Sequence, residues 1–349
     1  MDLSIQLGKL RLKNPLICAS SEVTMTAAGI RAAIDAGAGA VIAKSVNESP
    51  QAARQLSTAD YLLLDDDWQV IPWDSPRRRD ASLFCRSGLA QMPLDQWLPM
   101  LAELDRYAQQ KNCIVAGSIT VAQPGPAAEI AAKMEAAGLR WIELNLSAPH
   151  GREASAVRQV TAEDAVRNYV RQVRCAIRVP LAVKLTAQAD DPLALAAIAG
   201  EEGADMLVMT GRVQGFMPDL ETQAPLLGSW GAIGGRWALP SSLYWVSKCW
   251  RSVTKEVPII GTNGARSAGD VLRFLLSGAR AVELASVIIT NGPQVFTEAI
   301  SELESYCTRK QIARLEELVG KAADAAMTYG ELPVISREKY PWEGGFGEE

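Results

Sequence analysis

The 349-residue chain has a single histidine, His150. A metal site built from histidines is excluded, and so is a pair of imidazoles dividing acid and base work. Its six cysteines, Cys18, Cys85, Cys113, Cys175, Cys249 and Cys307, are scattered, with no C-x-x-C pair. A local zinc or iron–sulfur motif is therefore excluded, no metal is expected, and the thiols read as the reduced ones of a cytoplasmic protein. No apolar run approaches the ~18 residues of a membrane span, so no membrane association is expected. The chain does not open on a basic segment followed by an apolar stretch, and no signal peptide is expected. Basic residues cluster only at Arg77-Arg78-Arg79, and 35 Lys/Arg against 40 Asp/Glu leave a formal charge of −5. Nucleic acid is disfavoured as a partner. Phenylalanine is scarce, five residues against nine tryptophans.

Apolar composition is not lacking: 48% of residues are hydrophobic and 21% charged, as in a globular chain with a large core. Short β-rich runs alternate with Ala-rich helical stretches. The runs are Leu16–Ser20, Ala40–Val46, Cys113–Thr120, Trp141–Ser147, Leu181–Thr186, Met206–Gly211, Pro258–Gly264 and Ala281–Val287. Most are nearly continuous in apolar residues, as in parallel strands covered by helices. The helical stretches between and after them are Thr26–Gly37, Leu94–Gln110, Pro126–Gly138, Ala162–Ile177, Pro192–Gly203, Pro240–Lys255, Ser267–Gly278 and Pro293–Tyr306. Gly37, Gly138, Gly203 and Gly278 end four of them, as helix C-caps do.

Eight such units predict an α/β fold, a (β/α)8 TIM barrel, where six or fewer would predict an open doubly wound sheet. Leu3–Lys13 reads as an N-terminal hairpin turning at Gly8 and plugging the barrel bottom. Two insertions, residues 47–93 and 212–239, follow strands 2 and 6 and are expected to cap the mouth, the face where barrel active sites lie. Trp68, Trp73, Trp230 and Trp237 lie in or beside them and could form an aromatic lid, a subunit interface or simply core. A single domain is expected over residues 1–330, with 331–349 as a mobile C-terminal extension.

Polar residues at strand ends are the candidates for chemistry. Lys44, Asn145 and Lys184 each sit in an apolar run. A strand lysine so flanked either points into the mouth or finds a salt-bridge partner inside the barrel. Two lysines and an asparagine there favour an anionic or electron-rich ligand. Glycine-rich strand ends at Gly231-Ala232-Ile233-Gly234-Gly235 and Gly261-Thr262-Asn263-Gly264, with Ala285-Ser286 after the eighth run, point to phosphate held by backbone N–H groups.

Asn14-Pro15-Leu16 running to Ala19-Ser20, then Ala43-Lys44-Ser45, Glu143-Leu144-Asn145-Leu146-Ser147, Val183-Lys184-Leu185, Gly234-Gly235 and Gly261-Thr262-Asn263-Gly264 follow in one order. This pattern resembles the class 1 dihydroorotate dehydrogenases and the pyrimidine-reducing domain of dihydropyrimidine dehydrogenase, over about residues 1–308. The loop Asn145-Leu146-Ser147-Ala148-Pro149-His150-Gly151 is most similar to the second of these. The resemblance implies an FMN-binding barrel acting as an oxidoreductase. Ala19 and Ser20 would lie along the isoalloxazine. Lys44 and Lys184 would contact the flavin ring or ribityl chain, and Asn145 the ring face, with Ser45 and Thr210 in the same cofactor set. Gly234, Gly235, Asn263, Gly264, Ala285 and Ser286 would hold the phosphate. A lysine beside the ring stabilises the charge of reduced flavin.

The departures from that pattern bear on the substrate. The family's cysteine after Asn-Leu-Ser, its acid or base, is here Ala148. Cys85 stands where the family holds the pyrimidine ring with an asparagine, and Gly211-Arg212 where it has an Asn-Thr or Asn-Ser pair. The expected substrate is therefore a small planar molecule, anionic or heterocyclic, other than dihydroorotate or dihydrouracil. Arg212 either reaches outward to Glu221 or Asp219 or points inward to an anion. His150 and Ser155 are the candidate acid/base residues, each with a purely structural alternative; Cys85 is a relocated thiol or a small core residue. An oxygenase, or a flavin protein for sensing or electron transfer, is the alternative reading. A homodimer and a separate electron donor or acceptor are the expected partners.

Overall fold

The computed structural model describes residues 1–47, 49, 52, 54, 57, 59–120, 123–148 and 159–333. The chain opens with β1 (Ile5–Leu7) and β2 (Leu10–Leu12), an antiparallel hairpin with Ile5 opposite Leu12. Alternation buries Ile5, Leu7 and Leu12 and leaves Gln6 and Arg11 outside. The buried face joins Trp141, Met206, Ile260 and Ala281 in one cluster, so the hairpin stoppers the barrel bottom as expected.

Then follow β3 (Leu16–Cys18), α1 (Ala27–Asp35), β4 (Ala40–Ile42), and the first insertion with β5 (Asp60–Leu64), β6 (Val70–Ile71) and β7 (Ser82–Arg86). The chain continues through α2 (Leu94–Gln109), β8 (Ile114–Thr120), α3 (Pro124–Ala136), β9 (Ile142–Asn145), α4 (Glu163–Ala176), β10 (Leu181–Lys184), α5 (Pro192–Glu201) and β11 (Met206–Met209). The second insertion carries β12 (Val213–Gly215) and β13 (Gly231–Gly234). Last come α6 (Leu239–Ser252), β14 (Ile259–Thr262), α7 (Ala268–Leu276), β15 (Ala279–Leu284), α8 (Ser286–Asn291) and α9 (Gln294–Lys310).

Strands β3, β4, β8, β9, β10, β11, β14 and β15 close a barrel in that order, every neighbouring pair parallel. All eight sequence-expected runs are its strands. Helix α4 shows why the outer layer forms: it buries Val166, Tyr169, Val170 and Val173, one face at helical spacing, and keeps its charges outside. Asp191 caps α5, accepting from the N–H groups of Leu193 and Ala194, with Pro192 at the first turn. Gly278 ends α7 at φ +111°, where a Cβ would also meet Trp250 at 2.5 Å.

The two insertions do not cap the barrel separately. They join into one five-stranded antiparallel sheet, ordered β12-β13-β7-β5-β6. The seam is β13 on β7, with Ala232 opposite Cys85 and Gly234 opposite Leu83. The glycine-rich strand end Gly231–Gly235, expected to hold phosphate, is thus mostly a strand of the cap sheet, and only Gly234 of the five lines the cleft. Gly231 is required there by close packing, because a Cβ would meet the Phe84 ring at 2.8 Å and the Cys85 carbonyl at 2.9 Å. The four insertion tryptophans are not core residues. Trp68, Trp73, Trp230 and Trp237 are 43–60% exposed. None of them lines the cleft between cap and barrel.

Candidate active site: a cleft between barrel mouth and cap

The C-terminal ends of the barrel strands face the cap sheet across a cleft of about 1100 Å³, counting the space open to solvent at its mouth. Its lining brings together residues far apart in sequence, from Ala19 and Ser20 to Ala285 and Ser286.

The barrel end of the cleft is built on three charged strand residues. Lys184 ends β10 and ion-pairs with Glu283 of β15, while Glu143 Oε2 of β9 lies 3.5 Å from the same ammonium. The two carboxylates are 1% and 0% exposed. Burial drives the Glu283 carboxyl up to about 8, the nearby Glu143 carboxylate adding to the rise and Lys184 opposing it. Burial pulls the Lys184 ammonium down, but the two carboxylates outweigh it and hold Lys184 above its usual value. A hydroxyl chain runs outward from the pair: Ser118 Oγ donates to Glu143 Oε1 at 3.0 Å, Ser118 meets Ser45 at 2.8 Å, and Ser45 meets Ser20 at 3.1 Å.

The cap side has the opposite balance. Lys44 Nζ donates to Glu22 Oε1 at 2.7 Å, the Gly88 N–H donates to the same oxygen at 3.1 Å, and Tyr61 Oη donates to Glu22 Oε2. Arg212 points inward, donating to Cys85 Sγ and, at 2.9 Å, to Ser87 Oγ. Its outward alternative is not adopted: Asp219 instead accepts from Thr222 and from the Glu221 N–H. Burial raises the Glu22 carboxyl, but Lys44, its hydrogen bonds and Arg212 outweigh that and hold it below the usual value. Burial lowers the Lys44 ammonium against the pull of Glu22, and Arg212 lowers it further. Burial pushes the Cys85 thiol up, so it is a neutral neighbour of Arg212 rather than a thiolate.

At the far end, Asn263 and Gly264 follow β14 in left-handed turns, φ +71° and +103°. A Cβ on Gly264 would strike the Leu239 backbone at 2.5 Å. The N–H groups of Gly264 and Ala265 meet no acceptor among the described residues. Asn145 gives its Oδ1 to the Ser147 N–H and hydroxyl, at 2.9 and 2.8 Å, leaving its amide N–H₂ without an acceptor among the described residues. Thr120 Oγ1 is buried at the lining without a partner among the described residues. Unmatched donors of this kind fit a ligand rich in acceptors.

A family model described as "Dihydroorotate dehydrogenase" matches residues 75–307, two thirds of the chain. The chain belongs to the dihydroorotate dehydrogenase family. It is 27% identical over 327 residues to the "Dihydroorotate dehydrogenase B (NAD(+)), catalytic subunit" of Methanothermobacter thermautotrophicus, covering 92% of this chain and 99% of that protein. It is 28% identical to the protein of the same description from Methanosarcina mazei, covering 90% and 93%. A crystal structure of DHODH from Eimeria tenella in complex with ferulenol has the same fold, with a TM-score of 0.72 at 18% identity over 92% of this chain and 88% of that one. As a dihydroorotate dehydrogenase-family barrel, the protein is a flavin-dependent oxidoreductase.

Most residues singled out in the sequence come together in the cleft: Ala19, Ser20, Lys44, Ser45, Asn145, Lys184, Arg212, Gly234, Asn263, Gly264, Ala285 and Ser286 all line it. Thr210, Gly235 and Cys85 lie outside the lining. Gly235 packs instead on Ser82, where a Cβ would fall 2.5 Å from the hydroxyl. Ala148 lines the cleft, 7% exposed, and offers no proton. His150 and Ser155 lie outside the described residues, as does the expected mobile segment from residue 334 onward. Sequence reasoning missed Glu22, Tyr61, Glu143 and Glu283 as site residues. Glu143 and Glu283 carried a signal, each being a lone charge in an apolar barrel strand; Glu22 and Tyr61 meet only across the cap.

Proposed function

We propose that the protein binds FMN in this cleft and exchanges a hydride between it and a small planar anion. The unmatched donors at Asn145, Gly264 and Ala265 support the cofactor reading, with Gly234, Asn263, Gly264, Ala285 and Ser286 holding the phosphate. Ala19, Ser20 and Ser45 flank the ring end, and Lys44 and Lys184 supply positive charge there. Bound FMN supplies hydride exchange at its N5.

The observation that carries the substrate class is the presence of two cations and one carboxylate in the cleft lining: Lys44 pairs with Glu22, and Arg212, turned inward onto Cys85 and Ser87, has no carboxylate partner among the described residues. Two cations against one anion leave a positive charge that a substrate carboxylate would neutralise. The relatives are named for dihydroorotate, which carries such a carboxylate. We propose that it is nevertheless a poor substrate here. Ala148 cannot move its proton, and Gly211 offers no amide; a Cβ there would fall 2.3 Å from Ser147 Oγ, so an asparagine would need Ser147 to move. His150 and Ser155 are the proposed proton carriers. Ala148 also favours one second reading, oxygen transfer to the substrate, which needs no acid at this position.

The test is to load the protein with FMN, follow the flavin bands anaerobically, and offer dihydroorotate beside other planar carboxylic acids. Slow bleaching by dihydroorotate, quickened by Ala148→Cys, supports the reading; fast bleaching by the wild type overturns its substrate part. Oxygen uptake with an oxygenated product would select the second reading. The relatives are catalytic subunits acting with NAD(+). A separate electron carrier is proposed here too, in a cytoplasmic setting. The exposed Trp68, Phe216, Trp230 and Trp237 on the cap support pairing with a second copy of the chain, which sedimentation of the wild type and Trp230→Ala would test.

A further inference from the structure

Three ionisable groups meet beneath the cleft with the wrong stoichiometry for a simple ion pair. Glu143 and Glu283 both lie within ion-pair range of the single ammonium of Lys184. Glu143 Oε2 and Glu283 Oε1 have no hydrogen-bond partner among the described residues, although both are buried. Two ionised carboxylates against one ammonium would leave an uncompensated charge in a dry site, which is far more costly than holding one proton. Among the described residues, the remaining neighbours do not supply the missing positive charge. Cys18 on β3 is a thiol that burial holds neutral. Thr262 on β14, Ser118 on β8 and Ser45 after β4 are uncharged. Arg212, the other cation felt by Lys184, is committed to Cys85 and Ser87.

We propose that Glu143 and Glu283 hold one proton between them, and that this proton sets the charge that the barrel floor presents to a bound flavin. With the proton in place, one carboxylate and Lys184 cancel and the floor is neutral. Without it the floor carries one negative charge, directly under the lysine that would otherwise stabilise reduced cofactor. Glu143 and Glu283 are thus positioning residues, acting through Lys184. The proton has a route to the cleft. Ser118, Ser45 and Ser20 form a continuous hydroxyl chain from Glu143, and Ser45 and Ser20 line the cleft itself. Each hydroxyl both donates and accepts, so rotation along the chain passes a proton without moving a heavy atom.

The flavin part of this inference rests on the proposed function; the proton itself does not. Two measurements therefore separate them. In the first, the apoprotein is titrated with pH and followed by infrared difference spectroscopy. A protonated-carboxyl C=O band is expected at neutral pH, shifted in D₂O, lost as pH rises past about 8, and missing in Glu283→Gln. Absence of the band in the wild type, or its persistence in both Glu283→Gln and Glu143→Gln, overturns the shared proton. If the variants do not fold, the wild-type titration alone decides. In the second, the midpoint potential of bound FMN is measured against pH. An added downward bend is expected where the band disappears, and a profile without it in Glu283→Gln. A band with no bend overturns the link to the cofactor and leaves the proton standing. A band in a protein that does not retain FMN overturns the functional reading instead.

Discussion

The two ends of the cleft hold the same kinds of charge in inverted proportion. The barrel floor sets two carboxylates, Glu143 and Glu283, on one ammonium; the cap wall sets two cations, Lys44 and Arg212, against one carboxylate, Glu22. The floor is buried, so its imbalance is little screened, whereas the wall is half-buried and opens on the cleft. The floor resolves its excess by keeping a proton, since a carboxyl can become neutral. The wall cannot do the same, because an arginine does not release its proton. It is left to recruit an anion. A site with a proton-holding floor and an anion-seeking wall is arranged for a planar acid between them.

The contrast can be broken most forcefully at Lys184. Lys184→Met removes the only cation of the floor, and a buried pair that loses one partner costs about 3–5 kcal/mol. Chemical denaturation should show a loss of that size, with FMN retention falling alongside; an unchanged midpoint would mean that the floor is not electrostatically coupled. On the wall, Arg212→Ala should weaken binding of planar carboxylates by about ten- to a hundredfold, the equivalent of roughly 1.5–3 kcal/mol for a charged hydrogen bond. Flavin-band titrations read this directly.

Glu283→Gln sharpens the comparison through pH. The Glu283 carboxyl is raised in the folded protein, so the stability it contributes is complete below the unfolded carboxyl value and fades as pH rises through about 8. The melting temperature of the wild type should therefore sag between about pH 5 and 9 more than that of the variant; parallel curves would remove Glu283 as the cause. The smallest effect is expected at Glu22. Glu22→Gln frees Lys44 and removes the one negative charge of the wall, and carboxylates should bind about three- to tenfold tighter, roughly 0.6–1.4 kcal/mol. Weaker binding would show that Glu22 orients Lys44 more than it competes with the ligand.

The difference between barrel and cap also marks how far the sequence could be read. Every barrel strand and every outer helix but the short α8 was legible, because each unit is local: an apolar run and a helical period lie within a few dozen residues. The cap sheet was not. Its seam pairs Ala232 with Cys85, two insertions apart, and no local pattern announces such a pairing. The glycines of β13 therefore read as a phosphate-holding strand end, when the absent side chain of Gly231 makes room for Phe84. The same division runs through the site. Lys44, Asn145 and Lys184 were visible as polar interruptions of strands, whereas the partners that decide their charge, Glu22 and Tyr61 on the wall and Glu283 on the floor, are set by tertiary contact.

The most direct test of the account is a titration of the FMN-loaded protein, wild type and Arg212→Ala, with orotate and with uracil, read in the flavin absorption bands. The two ligands share a planar ring and differ in the carboxylate. The account predicts that orotate perturbs the bands of the wild type at far lower concentration than uracil does, and that the variant loses most of this advantage. Equal affinity for the two ligands, or an advantage that survives in Arg212→Ala, would contradict it.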